Sequence, residues 1–433
     1  MNLPRKATKT VSFVDEYCEA YKDIFPEVRS YECFKYLHLG MISEVKRKTL
    51  PAIAKIVGIT NAQSLHHFLK ESPWSVEKLR DRRLKLLSKA LKEKKFILVI
   101  DETGDKKKGK KTDYVDRQYI GNLGKIEQGI VSVNAYGIWE EAVFPLICKV
   151  YKPQKRLKPE DKYQTKIEIA REIIEELLQR QFKFEVVLAD SLYGESSEFR
   201  RTLEKHNLKY VVAIRSNHGV LMPAGGRVRR NRWQEFDRVF TTGKKEKRYI
   251  REIIFGHRRG DIRYWEITTD TEKLPENSTW YIMTNLPGKI QKSVGNTYGL
   301  RTWIEYGFKQ CKNELGWADY RVTDYAEIEK WWEIVLCVFL MVSLQSPSFI
   351  KLAADNCIIN SPSLLSQFQQ HPWWQFDQGW KHILNNFRLI IQPAIFLALI
   401  LPWLSVFSFP SVYQYLSKLV ALMNQFHVYV PSG

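Results

Sequence analysis

Residues 96–101 read FILVID, and residues 184–190 read FEVVLAD. Each is a short apolar run that ends in an aspartate. A run with no polar alternation suits a strand covered on both faces, as in a parallel sheet. Between them lie two further strand-like runs, 129–138 and 142–151, and a helical pattern over 162–181. A helix over 195–206 and a strand over 209–215 follow. Strands interleaved with helices predict an α/β domain.

Three strands, helix, strand, helix, strand is the order of an RNase H-like core, although other α/β domains alternate in the same way. The aspartates that end the two runs, Asp101 and Asp190, are the first candidate site residues, because functional groups gather at the carboxyl ends of neighbouring parallel strands. Two anions brought together are unfavourable unless a cation joins them, and Mg²⁺ suits carboxylate oxygens. An aspartate at such a place also serves simply to cap the next turn.

Outward from this core, residues 12–90 read as helices. Two short ones flank a turn at Gly58, Ile59 and Thr60. The pattern is that of a DNA-reading helix-turn-helix and equally that of a packed helical hairpin. The stretch 79–95 reads as a basic amphipathic helix, and 103–113 is a loop with five lysines. Residues 205–263 hold 16 Lys or Arg against 5 Asp or Glu in short alternating, glycine-punctuated runs, which predicts basic β-structure. Arg229, Arg230, Lys244 and Lys245 are its candidate contacts to a nucleic-acid backbone. Residues 279–286 read as one more strand, and a long helix is expected from Ser293. The remainder, from 325, is helical and apolar. No charge occurs between Arg388 and Lys418. The run 389–407 has the length of a membrane span, but Pro393, Pro402 and Pro410 punctuate it, so a buried, proline-broken segment is expected.

The 433 residues imply two or three domains. With 44% hydrophobic and 27% charged residues the chain is not disordered. A net charge of +19 points to a polyanionic partner. The six cysteines are scattered with no CxxC, which argues against a zinc site or a disulfide framework. The N-terminus has no signal-peptide pattern.

From Tyr298 the sequence reads YGLRTWIEYGFKQCK. On an unbroken helix at about 100° per residue, Tyr298, Arg301, Glu305 and Lys312 fall on one stripe about 60° wide. Leu300, Ile304, Phe308, Cys311 and Leu315 fall on an apolar stripe beside it. The alternative is a solvated face carrying ion pairs.

The spacing Tyr298-x2-Arg301-x3-Glu305-x6-Lys312 is similar to the Tyr-Arg-Glu-Lys signature of insertion-sequence DDE transposases. The stretch beginning IDETGDKKKGKKTD resembles the block around their first catalytic Asp in the DDE superfamily endonuclease branch, and VVLADSLYGE resembles the block around the second. Lys110, Lys111 and Thr112 depart from the small residues common in that loop. The resemblance covers roughly 95–330, and the 115 residues from Asp190 to Glu305 leave room for a β-rich insertion. It implies an RNase H-like catalytic core with a β-rich insertion, flanked by helical N- and C-terminal regions. The expected division is a helical DNA-binding domain at 1–92, core at 93–216, insertion at 217–288, core again at 289–345, and a helical C-terminal region at 346–433.

The resemblance also implies chemistry. Asp101, Asp190 and Glu305 would hold two Mg²⁺ ions, for which Mn²⁺ can substitute. These would promote cleavage at transposon ends and transfer of the freed strand into target DNA. Tyr298, Arg301 and Lys312 would grip phosphates. Trp280 would stack on a flipped base, although a strand tryptophan is also an ordinary core residue. The partners implied are terminal repeats, target DNA and a second copy of the chain on DNA, with the apolar, tryptophan-rich C-terminal region (Trp331, Trp332, Trp373, Trp374, Trp380) as one candidate surface. No membrane is implied, and the setting is a bacterial cytoplasm at the nucleoid. Rival readings are an RNase H-like nuclease without strand transfer and a domesticated DNA-binding protein.

Overall fold

The computed structural model describes residues 5–431 except 110, 223, 241–242, 258–259, 292, 354–361 and 378. Lys110 and Cys357 therefore lie outside the described residues. Five helices come first: α1 (Ser12–Glu19), α2 (Val28–Ile42), α3 (Leu50–Ile56), α4 (Gln63–Lys70) and α5 (Val76–Leu91). Thr49 and Ser75 cap α3 and α5 through their hydroxyls. Then come β1 (Phe96–Lys106), β2 (Asp116–Ile120), β3 (Lys125–Trp139), β4 (Ala142–Val150), α6 (Lys166–Gln179), β5 (Phe184–Ala189), α7 (Ser191–Gly194), α8 (Ser197–Lys205) and β6 (Tyr210–Ile214).

These strands join one mixed sheet. β1 pairs antiparallel with β3 and parallel with β5; β5 pairs parallel with β6; β2 and β4 share the far side of β3. Phe96, Leu98, Val99 and Ile100 are buried, as a central strand covered on both faces requires. β1 does not stop at Asp101, where its apolar run ends. It continues to Lys106 because the long β3 goes on pairing with it, whereas parallel pairing with β5 ends at Ile100 opposite Ala189. β2, in a stretch to which the sequence assigned no element, pairs with the start of β3.

The basic segment and the strand expected after it form β7 (Val228–Arg230), β8 (Gln234–Val239), β9 (Lys245–Phe255), β10 (Arg263–Thr268) and β11 (Trp280–Thr284). They extend the same sheet, since β11 pairs antiparallel with β6 and the order outward is β11, β10, β9, β7. The expected long helix is broken: α9 (Ser293–Gly299) and α10 (Trp303–Asn313) are separated by a 3₁₀ turn at Leu300–Thr302. α11 (Tyr325–Ser343) is buried along most of its length and is followed by α12 (Pro347–Ala353), α13 (Pro362–Gln369), α14 (Trp380–Val406) and α15 (Pro410–Met423).

α5 is the basic amphipathic helix expected over 79–95, shifted to Val76–Leu91, and two of its arginines are used internally. Arg83 is fully buried and donates to Glu333 at 2.6 Å and to the carbonyls of Pro145 and Leu146, while Arg80 reaches Glu329 and Glu333. This network ties the N-terminal helices to α11 and β4. The C-terminal expectation fails. α14 runs unbroken through Pro393 and Pro402, although a helix-interior proline costs about 3 kcal/mol. Its apolar run is mostly exposed rather than buried. By length and composition α14 could cross a membrane. Trp331 and Trp332 are core residues, whereas Trp373 is exposed.

Candidate active site

Asp101 leaves β1 where its parallel partner ends, and Asp190 follows β5 directly, so the two carboxylates stand side by side at the strands' carboxyl edge. Asp190 also caps α7, accepting from the Leu192 amide at 3.0 Å. Gly194 lets α7 lie on β6: a Cβ there would stand 2.0 Å from the Ala213 carbonyl. Burial raises the Asp101 carboxyl to about 7; Arg301 opposes the rise and Asp190 adds to it. Burial also raises Asp190, with Glu102 as the next cause.

Glu102 is a fourth carboxylate that the sequence reading passed over. Strand alternation sends it to the opposite face from Asp101. There it accepts from Lys166 at 2.8 Å and from the Tyr193 hydroxyl at 3.0 Å. The signal was an acid directly after a candidate catalytic acid.

Glu305 sits in the first turn of α10, half exposed. Gly307 sets that helix against β3, because a Cβ would meet the Tyr136 ring at 2.8 Å. Arg301 stands between the acids: Nη1 donates to Asp101 Oδ2 at 2.8 Å, and Nη2 lies 3.8 Å from Glu305 Oε1. Its Nε is buried with no acceptor among the described residues. Burial works against the Arg301 charge, but Tyr298, Asp101, Asp190 and Glu305 together hold its pKa above the usual value.

A 3₁₀ turn interrupts the 100° progression between Tyr298 and Glu305, yet Arg301 still lies against both of them. Tyr298 is buried at the end of α9, with Arg301 Cζ 6.0 Å from its ring centroid. Lys312 points along β1, donating to the Gly104 carbonyl at 2.7 Å and pairing with Asp105 at 2.9 Å. The apolar stripe fares better: Ile304, Cys311 and Leu315 are buried, and Leu300 and Phe308 pack partly against the core.

The insertion reaches this site through Trp280. Its ring stands edge-on to Tyr298 at 5.7 Å, with Arg248 Cζ at 4.0 Å and Arg238 Cζ at 4.6 Å. Arg238 is buried, and its pKa is lowered by burial and then by Arg248. Arg248 belongs to the basic run 244–248, read from sequence as a DNA backbone contact, whereas Arg238 was not a candidate, because its charged strand neighbours gave no distinguishing signal. Arg229, Arg230, Lys244 and Lys245 are exposed, the arginines on the edge strand β7 and the lysines at the start of β9.

The donor chemistry suits a hard divalent ion: two half-buried oxygen ligands stand side by side, and desolvation raises both carboxyls. Among the described residues no three acidic, histidine or cysteine side chains converge on one point, because Glu305 is held off by the intervening Arg301.

Residues 23–237 match the family described as DDE superfamily endonuclease, and residues 157–341 match the transposase DDE domain. The first span contains Asp101, the second Glu305, and both contain Asp190. The chain is 57% identical over 351 residues to the probable transposase for insertion sequence element IS701 of Microchaete diplosiphon, covering 81% of this chain and 92% of that one. The chain belongs to the DDE transposases of insertion elements, divalent-metal-dependent enzymes of DNA cleavage and strand transfer.

Proposed function

We propose that the chain moves its element by cut and paste, using Asp101, Asp190 and Glu305 as catalytic metal ligands on an RNase H-like core. The observation that carries this is the pair of half-buried carboxylates where adjacent parallel strands stop pairing, linked through Arg301 to Glu305. The strand order β4, β3, β1, β5, β6, with β3 antiparallel to its neighbours, supports the core assignment. Two Mg²⁺ ions, or Mn²⁺ in their place, would lower the cost of activating water and of charge on the leaving oxygen.

In cleavage a water oxygen bonds to phosphorus, the P–O3′ bond breaks, and the 3′ oxygen leaves and takes up a proton. In transfer the freed 3′-OH attacks a target phosphorus, displacing the target's own 3′ oxygen. Arg301, with Nε unused, is placed to donate to a phosphate oxygen as it leaves Asp101. Tyr298 and Trp280 form the apolar wall beside it, onto which an unstacked base can settle. Lys312 acts through Asp105, positioning β1. The outer cations Arg229, Arg230, Lys244 and Lys245 would follow DNA backbone further out.

The five-part division at 92, 216, 288 and 345 accompanies this reading, with α3 and α4 as candidate readers of the terminal repeats. Because two ends are cut and joined in concert, the working form on DNA is a homodimer, in the bacterial cytoplasm at the nucleoid. The test is incubation with DNA carrying the element and its flanks plus Mg²⁺. Double-strand breaks at both ends that vanish in Glu305→Gln support the proposal. Cleavage without joining of precut ends to target DNA would favour a nuclease instead.

A further inference from the structure

Parallel pairing between β1 and β5 stops at Ile100 opposite Ala189, one residue before Asp101 and Asp190. Past that point no ladder between these two strands sets the distance from one carboxylate to the other, although a hard divalent ion is held only by oxygens at a set distance. A side-chain bridge takes over where the ladder ends. Glu102, the next residue on β1, accepts from the Tyr193 hydroxyl at 3.0 Å through one oxygen and from Lys166 at 2.8 Å through the other. Tyr193 lies in α7, the turn that Asp190 itself caps. One hydrogen bond from Glu102 therefore ties the turn carrying Asp190 to the strand carrying Asp101.

Both partners of Glu102 are themselves held. Tyr193 is fully buried, and α7 is pinned to the β6 side. There Gly194 approaches the Ala213 carbonyl, and Glu195 accepts from the Arg215 amide at 2.9 Å and from its Nε at 2.7 Å. Lys166 is the first residue of α6, whose start is fixed by a capping box between Thr165 and Glu168.

The arrangement runs against local preference twice. A cation at a helix N-terminus opposes the helix dipole. The Glu102 charge is also a cause of the raised Asp190 carboxyl, so an acid here opposes the ionisation that metal binding requires. Features that are unfavourable on their own gather at functional sites. With both oxygens occupied and its charge matched by Lys166, Glu102 stays a strut on the far face of β1 and does not compete for the ion.

We propose that Glu102 is a positioning residue: through Tyr193 and Lys166 it locks the Asp190 turn to β1 and so fixes the spacing of the two carboxylates for a divalent ion. This rests on the reading of Asp101 and Asp190 as metal ligands, and the two can fail separately. The probe is Mn²⁺ alone, titrated into the full chain without DNA and followed by the electron paramagnetic resonance signal of the free ion. Cleavage of element ends at varied Mg²⁺ gives a second reading. Tyr193→Phe removes one hydroxyl and keeps the buried ring. It should lower Mn²⁺ affinity about tenfold or more and raise the Mg²⁺ needed for half-maximal cleavage by a similar factor, since losing a group that orients a metal ligand costs about 10–100-fold. Glu102→Ala should do the same. Glu102→Gln should recover most of the loss, because its amide oxygen can face Lys166 while its NH₂ donates to the Tyr193 hydroxyl. A Tyr193→Phe chain that melts earlier but binds Mn²⁺ as wild type does, while Asp190→Asn does not, would make the bridge merely structural and overturn the proposal alone. Glu102→Gln as inactive as Asp101→Asn would make Glu102 a ligand itself and overturn it too. Mn²⁺ binding undiminished in Asp190→Asn would retire the ligand reading, and this proposal with it.

Discussion

In the metal-free chain Asp101 should make the fold weaker as pH rises, and removing its charge should strengthen the fold. Its carboxyl goes from an ordinary 3.8 to about 7 on folding. A raised acid pKa means that the folded state binds the proton more tightly, so the stabilisation is complete below the unfolded pKa and is lost as pH climbs through the folded one. At about 1.4 kcal/mol per pKa unit, roughly two units of the shift lie between pH 5 and pH 7. The chain should therefore lose roughly 2–3 kcal/mol between pH 5 and pH 8 from this group. Asp190, raised for the same reason, acts in the same direction.

The assay is urea unfolding in EDTA at pH 5 and pH 8, followed by tryptophan fluorescence. Asp101→Asn keeps the shape and removes the titration, so it should be the more stable protein at pH 8 and show a flatter pH profile. Adding Mg²⁺ at pH 8 should stabilise wild type and leave Asp101→Asn nearly unchanged, because an ion that binds only the folded state adds stability by mass action. Equal pH profiles for the two proteins in EDTA would refute the claim that Asp101 is held in an unfavourable charged state.

Asp190→Asn and Glu305→Gln, like Asp101→Asn, should abolish Mg²⁺-dependent cleavage while leaving end binding within a fewfold of wild type; substantial cleavage by any one removes that residue from the metal site. Arg301→Ala should weaken end binding and make its salt dependence shallower by about one unit of slope, whereas Lys312→Ala, whose ammonium is bound to Asp105 and Gly104, should leave the slope unchanged. A salt titration of filter binding separates the two. Arg83→Met should cost about 3–5 kcal/mol of unfolding free energy, since it leaves Glu333 buried with less compensation; a loss below about 1 kcal/mol, the worth of a surface pair, would contradict the burial of that network.

The sequence displayed the catalytic edge because its strands are continuous apolar runs ending in acids, and both faces of a central strand must be covered. It concealed whatever a neighbour decides. β1 outlasts its apolar run only because β3 is 15 residues long. β2 carries little hydrophobicity of its own and exists through pairing with β3. The stripe from Tyr298 to Lys312 rested on one unbroken period; a 3₁₀ turn intervenes, and only the neighbouring strand decides where the cations go, Arg301 to Asp101 and Lys312 to Asp105.

The C-terminal region follows the same logic at a larger scale. Hydropathy reports that a surface avoids water, not where it goes. An apolar run with no charge over 389–417 reads identically whether it is covered by its own chain, by lipid or by another copy. Both ends of the stretch are anchored to the core, and no residue between Ile391 and Phe426 is buried, so the chain's own core does not cover it.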